Sequence, residues 1–343
     1  MRHPKVALLG LSAALLGAAP PSPPAPGSAR VDALAHRVQE DWDFLLPDAV
    51  WHDVDAAITI GARSFAVDHD GPMKMRVDSD GDGSTDIVVQ GAREFVTLRA
   101  PDAGGGAPFV YAIRLENDTR RWRWTVGHSR SGRVRGQQMH VFDLDGDGRY
   151  DEFGTDGLVL GAGRRGSYLS RVVHVGDELL TLHVAADGSS VRTEVYEGST
   201  GLLDLHSSFE AKGHLESAIV RSAELSFNLA GAPRGMRVPV GTYRFAQGVV
   251  ARRDEIAQIY PGRMRPIDVT ADAVASLAWG GPVVAEFDYS IQGGKLTVFP
   301  DVRFLGSAGE EYRSFAPNER SPQIVVRDKG SGRVVQRGRF GGC

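Results

Sequence analysis

The chain has 343 residues, with 39 Lys and Arg against 43 Asp and Glu, a net charge of −4. That balance argues against broad nucleic-acid or anionic-membrane binding, and 42% hydrophobic content supplies ordinary packed cores over a length of two or three domains. Cys343 is the single cysteine and the last residue, so no intramolecular disulfide can form; it reads as a frayed terminal thiol.

Arg2, His3 and Lys5 precede an apolar run over residues 6–19, of signal-peptide length and too short to span a bilayer comfortably. A Pro-rich stretch over 20–26 follows, then Gly27-Ser28-Ala29, with small residues where a signal peptidase reads. Residues 1–29 are therefore expected to be a signal peptide, with cleavage after Ala19 as the alternative site. Losing Arg2 and Lys5 and no acid leaves 37 basic against 43 acidic residues, a net charge of −6. The expectation is a secreted or periplasmic, cell-envelope protein. No later apolar segment is long enough to cross a membrane.

Residues 30–50 form a leader in which Val31, Leu34, Ala35, Val38 and Trp42 recur at helical spacing up to Pro47. The stripe predicts one short amphipathic helix on the first domain; a partly ordered leader is the alternative. From Ala57 the period changes to two. Met73, Met75 and Val77 alternate with Lys74 and Arg76, and Phe109, Tyr111, Ile113 and Leu115 follow the same rule. So do Trp122, Trp124 and Val126, then Leu180, Leu182 and Val184, then Leu225, Phe227 and Leu229. Short alternating runs between Gly, Asp and Asn clusters predict an all-β protein of antiparallel sheets with one buried face. Stretches rich in Gly, Ser and Arg near 129–136 and 231–235 divide it into β units 51–135 and 136–230 and a C-terminal sandwich, 231–343.

Two loops of one form stand out: Asp78-Ser79-Asp80-Gly81-Asp82-Gly83-Ser84-Thr85-Asp86 and Asp143-Leu144-Asp145-Gly146-Asp147-Gly148-Arg149-Tyr150-Asp151. Each crowds four carboxylates into a short turn, which is self-repulsive unless a hard cation sits among the oxygens. Carboxylates at positions 1, 3, 5 and 9 converge, the glycine at 6 permits the bend, and the carbonyl of position 7, Ser84 or Arg149, faces the ion. Two structural Ca2+ sites are expected, with Glu152 and Asp156 near enough to add outer or extra ligands to the second. All these carboxylates are consumed as ligands. Position 12 of an EF-hand needs a bidentate Glu, but here it is Val89 or Gly154, and the flanks read as strands.

The pattern of Asp78, Asp80, Asp82, Gly83 and Asp86, continued by Ile87-Val88-Val89, resembles the calcium loops of integrin-type FG-GAP repeats. So does that of Asp143, Asp145, Asp147, Gly148 and Asp151. Less closely it resembles thrombospondin type 3 and dockerin loops. A propeller needs at least about four blades, so two loops do not carry that architecture over. The chain also looks like exported bacterial proteins that join such loops to β-sandwich domains. Pro239-Val240-Gly241-Thr242-Tyr243 resembles strand entries of transthyretin-like sandwiches, which implies a rigid binding or spacer module.

Other constellations are weaker. His174 with His183, or His128 with His140, would have to meet across strands to hold zinc. Gly127-His128-Ser129-Arg130-Ser131 lacks the second glycine of a nucleophile elbow and reads as a loop. In 120–124, Trp122 and Trp124 share one strand face and the arginines the other, an ordinary half-buried strand. No catalytic set emerges. The expectation is a calcium-stabilised binding or scaffolding protein acting on an extracellular protein or polysaccharide. The rival is a calcium-dependent secreted hydrolase whose carboxylates gather from distant strands.

Overall fold

The computed structural model describes residues 29–40, 42–47, 49–101, 108–118, 121–316 and 323–339. The expected signal peptide up to residue 28, Arg120 and Cys343 lie outside the described residues. Among the described residues nearly all regular structure is β, mostly in antiparallel sheets, with two parallel pairings, Thr200–Asp204 with Val274–Ser276 and Phe209–Glu210 with Trp279–Gly280, and one 3-10 turn at Leu229–Gly231. The alternating runs become strands Lys74–Val77, Phe109–Asn117, Trp122–Val126, Glu178–Val184 and Leu225–Asn228. Among the described residues, no helix is long and apolar enough to cross a membrane.

Two four-stranded sheets enclose the first core. One runs through Ala57–Ile60, Arg63–His69, Lys74–Val77 and Ile87–Gln90; the other orders His52–Asp53, Trp122–Val126, Phe109–Asn117 and Arg93–Ala100. Ile58, Phe65, Met75 and Val77 from the first meet Leu98, Tyr111, Ile113, Trp122 and Trp124 from the second.

A five-stranded sheet built on His128–Val134, Gln137–Phe142 and Gly157–Leu160 then serves two cores at once. Phe142 and Val159 join the first core, while Met139, Val141 and Leu158 face a second with Val173, Leu180, Leu182 and Val191. Successive strand residues point to opposite faces, so a strand covered on both sides loses its polar alternation. The division at 135/136 consequently falls in the Arg135-Gly136 turn of a hairpin, in which Val134 pairs Gln137. The Gly, Ser and Arg content of 129–136 reflects a strand and its turn. A third core, around Leu203, Val220, Tyr243, Phe245 and Trp279, fills the C-terminal part.

The leader is not helical. Arg30–Ala33 pairs with Ser190–Thr193 and Ala35–Val38 with His128–Ser131, so the segment adds one strand to each sheet around the second core. Leu34, between them, is buried, while Val31 and Val38 of the apolar stripe are exposed. Two open strand edges offered backbone partners along its length, and a short isolated helix is marginal by comparison. Gly127-His128-Ser129 likewise enters a strand.

This pairing brings the His36 and His128 rings to 4.4 Å. His128 is fully buried; its Nδ1 lies 2.9 Å from the Ala112 carbonyl and so donates, leaving Nε2 to accept from the Tyr150 hydroxyl at 2.5 Å. Burial, with Arg130 and Arg99 nearby, lowers His36 to about 4, and burial and then His36 hold His128 well below its ordinary value. Both rings are neutral in the fold, whereas an unfolded histidine takes a proton near about 6.5. Their contribution to stability is complete above that pH and is lost as pH falls through about 4. A proton NMR titration should place the His36 midpoint near 4 and show no His128 titration above it. A His36 midpoint near about 6.5 would contradict the pairing of the leader.

Candidate metal centre

Both aspartate loops close β-hairpins. Residues 78–86 join Lys74–Val77 to Ile87–Gln90, with Val77 opposite Ile87; residues 143–156 join Gln137–Phe142 to Gly157–Leu160, with Phe142 opposite Gly157. The first aspartate of each loop directly follows its incoming strand. The carboxylate then organises the turn. Asp78 Oδ1 accepts from the Gly81 N–H at 2.7 Å and Oδ2 from that of Gly83 at 2.9 Å. Asp143 Oδ1 accepts from Gly146 N–H and Oδ2 from Gly148 N–H, both at 2.7 Å. Glycine at positions 4 and 6 is required because all four have positive φ, from 74° to 90°.

The wrap brings carboxylate oxygens together. One oxygen each from Asp78, Asp80 and Asp82 lies within 4.8 Å of the others, and likewise from Asp143, Asp145 and Asp147, so each triplet could hold a metal ion. Position 9 behaves differently. Asp86 accepts from the Ser79 N–H and hydroxyl at 2.8 and 2.7 Å, which holds its carboxyl below the ordinary value. Asp151 is ion-paired with Arg149 at 2.9 Å. Ser84 and Arg149 donate their N–H groups to Asp82 and Asp147, both at 2.7 Å.

The two loops differ most in their surroundings. Asp80 and Asp82 are exposed, whereas Asp143 is fully buried and Asp145 and Asp147 half-buried. Tyr111 donates its hydroxyl to Asp143 Oδ2 at 2.8 Å. His52 Nε2 donates to the Asp145 carbonyl at 2.7 Å, its ring stacked on Trp124 at 4.5 Å. The turn at Gly61 presses on the Asp147 carbonyl, 2.6 Å from where a Cβ would stand. Strands of the first core therefore grip a loop that belongs to the middle sheet.

Sequence spacing makes Asp151 the fourth carboxylate of the second loop, and its Oδ1 is buried with no hydrogen-bond partner; Asp156 holds the corresponding place in the topology. It stands immediately before the returning strand, as Asp86 does in the first loop, and is fully buried. Its Oδ2 accepts from the Glu152 N–H at 2.9 Å, while its Oδ1 and that of Asp145 are buried with no hydrogen-bond partner. Burial pushes Asp156 up to about 9, reinforced by the Asp143, Asp145 and Glu152 carboxylates. Burial likewise pushes Asp143 up to about 7. Crowded acids without a counter-charge hold protons, and a bound cation reverses that preference. The donors are all oxygen, which suits a hard ion. The histidine pairs do not form a zinc site: His128 is bonded to Ala112 and Tyr150, and His174 Nε2 to the Arg237 carbonyl.

Gly81 and Gly146 occupy position 4 with the same φ of 74°, and differ only in what surrounds them. A Cβ on Gly81 meets nothing closer than 3.4 Å, but on Gly146 it would stand 2.7 Å from Trp124 and 2.9 Å from His52. Gly81→Ala should cost about 1–2 kcal/mol of backbone strain. Gly146→Ala should cost about 1–3 kcal/mol beyond that, from overpacking. Denaturant unfolding reads both, and equal losses would show that the second loop is not gripped as described.

No family model matches the chain, no curated protein matches it, and no solved structure does.

Proposed function

We propose that the chain is an exported, calcium-stabilised, multidomain binding or scaffolding protein of the cell envelope or exterior. The observation that carries the calcium reading is the second loop. There, the buried Asp145 and Asp156 oxygens without partners accompany the buried Asp143. Leaving such oxygens unpaired in the interior costs several kcal/mol, and Ca2+, with a taste for many oxygen ligands, relieves it. Asp143, Asp145 and Asp147 would hold one ion, with Asp156, Asp151 and the Arg149 carbonyl in reach by loop position. Asp78, Asp80, Asp82, Asp86 and the Ser84 carbonyl would hold another. The likeness of both loops to FG-GAP calcium loops, and the signal-peptide pattern of residues 1–29, support the same reading. We assign the C-terminal part an immunoglobulin- or transthyretin-like sandwich architecture and a partner that is an extracellular protein or polysaccharide.

Two arrangements bear on the hydrolase alternative. Beside the second loop lies an open groove of about 550 Å³, lined by Arg149, Asp151, Glu152, Arg171, His183 and Glu224. Asp151 is ion-paired to Arg149 and Glu224 to Arg171, so these carboxylates are committed rather than poised as an acid–base pair. Ser129 Oγ lies 3.2 Å from His140 Nδ1, as a nucleophile lies from its base. Ser129 is fully buried, however, and its oxygen also accepts from Gln39 at 2.8 Å. Neither arrangement favours catalysis over binding.

The test is thermal unfolding of the purified protein in millimolar calcium and in excess chelator, beside Asp80→Ala and Asp145→Ala. Calcium at about tenfold over Kd contributes about 1.4 kcal/mol per site. A rise of roughly 2–4 °C per kcal/mol follows for domains of this size. Asp145→Ala should remove most of the rise and Asp80→Ala a smaller part. An unchanged wild-type midpoint would overturn the calcium assignment.

A further inference from the structure

The open groove of about 550 Å³ beside the second aspartate loop lies where several parts of the fold meet. The loop contributes Arg149, Glu152 and Thr155, and the end of strand Glu178–Val184 contributes His183. Arg171, just before Val172–Val175, and Glu224, in the turn between His214–Ser222 and Leu225–Asn228, close the remaining side. Backbone hydrogen bonds tie these walls together. Leu182 donates its N–H to the Arg171 carbonyl and Arg171 to that of Glu224, both at 2.8 Å, and Gly154 donates to Leu169 at 2.9 Å. A groove built this way is preformed, at a junction of the kind where ligand sites fall, and within their usual range of about 300–1,000 Å³.

The lining is polar and mixed in sign. Arg149 pairs with Asp151, and Arg171 reaches Glu224 through both Nη2 and Nε. Each pair still presents donors and acceptors, because a guanidinium carries several N–H groups and a carboxylate accepts several bonds. The Glu152 carboxylate, the Thr155 hydroxyl and the His183 ring make no hydrogen bond or ion pair among the described residues. Arg149 and Arg171 stand beside Asp151, Glu152 and Glu224, so a strongly charged ligand of either sign would meet its own charge. Apolar surface is scarce: Phe153 and Val184 supply it, and the Arg171 guanidinium lies 3.9 Å over the Phe153 ring.

We propose that this groove binds a neutral oligosaccharide chain, which gives the binding protein inferred above, on which reading this rests, its class of partner. A hydroxyl both donates and accepts, so one repeating ligand satisfies the guanidinium N–H groups and the carboxylate oxygens together. Having no charge, such a chain leaves both ion pairs in place, and an open groove lets it run past either end. A peptide is the poorer fit: strand Glu178–Val184 lies inside its sheet, between Val172–Val175 and Ser190–Val195, and offers no edge to extend.

Isothermal titration calorimetry of the purified protein with cellohexaose, maltohexaose and xylohexaose should give a dissociation constant below about 1 mM for at least one of them. His183→Ala and Thr155→Val each remove a group that has no protein partner, and each should weaken that binding at least about threefold. Glu255→Gln, exposed on the C-terminal sheet, should leave it unchanged, and circular dichroism melting would verify that each variant is folded. Binding retained in excess chelator supports the groove independently of any cation, so failure of the calcium assignment is distinguishable from failure of the groove. Binding of none of these hexaoses below that limit would overturn the proposal. So would binding indifferent to both groove substitutions, or a preference for hexagalacturonate or a glycine–serine decapeptide over the neutral hexaoses.

Discussion

A carboxylate with no access to water ties the first two cores together. Asp143 accepts hydrogen bonds from the N–H groups of Gly146 and Gly148 and from the Tyr111 hydroxyl, so one side chain fixes both a turn and a neighbouring sheet. Charge-assisted bonds of this kind are individually strong, and losing one in a buried site costs more than the bond itself contributes. Around them, His52 and Trp124 hold the Asp145 backbone and the Gly61 turn abuts that of Asp147. The second loop is thus less a surface turn than a plug between two layers. A cation there would balance charge at the point where the layers meet.

That placement gives the two loops different physical weight despite their near-identical spacing. The first closes a hairpin at the edge of its sheet, with Asp80 and Asp82 in water and Asp86 satisfied by Ser79. Solvent can compensate its charge whether or not an ion is present. The second has exchanged that solvent for Tyr111, Trp124 and His52, and retains buried oxygens of Asp145, Asp151 and Asp156 with no hydrogen-bond donor. A cation bound there would be coupled to packing, which is the condition under which a bound ion contributes folding free energy.

Most of the strand content was legible because period-two alternation follows from one-sided burial, as in Phe109–Asn117 and Glu178–Val184. Legibility failed where burial was two-sided or where partners decided the outcome. Gln137–Phe142 offers no alternation because His140 and Phe142 serve one core while Met139 and Val141 serve another, and so the boundary at 135/136 cut a hairpin. The leader has a helical stripe, yet two strand edges claimed it, a choice made by residues ninety or more positions away. In the two loops, the convergence of Asp78, Asp80 and Asp82 and of Asp143, Asp145 and Asp147 was readable from spacing, because it is local. Asp156 was legible only as a neighbour. Its correspondence with Asp86 depends on where the strand returns, which sequence distance does not encode.

The central claim is that the second loop is a cation site gripped by the first core, and terbium luminescence tests it directly. Tb3+ takes the oxygen ligands of Ca2+ and is excited by a nearby indole, here Trp124, whose ring would meet a Cβ on Gly146 at 2.7 Å. Excitation at the tryptophan band should give sensitised emission that calcium displaces, that Asp147→Ala abolishes and that Asp80→Ala leaves largely intact. Emission absent from the wild type, or indifferent to Asp147→Ala, would contradict a cation at the junction of the two cores.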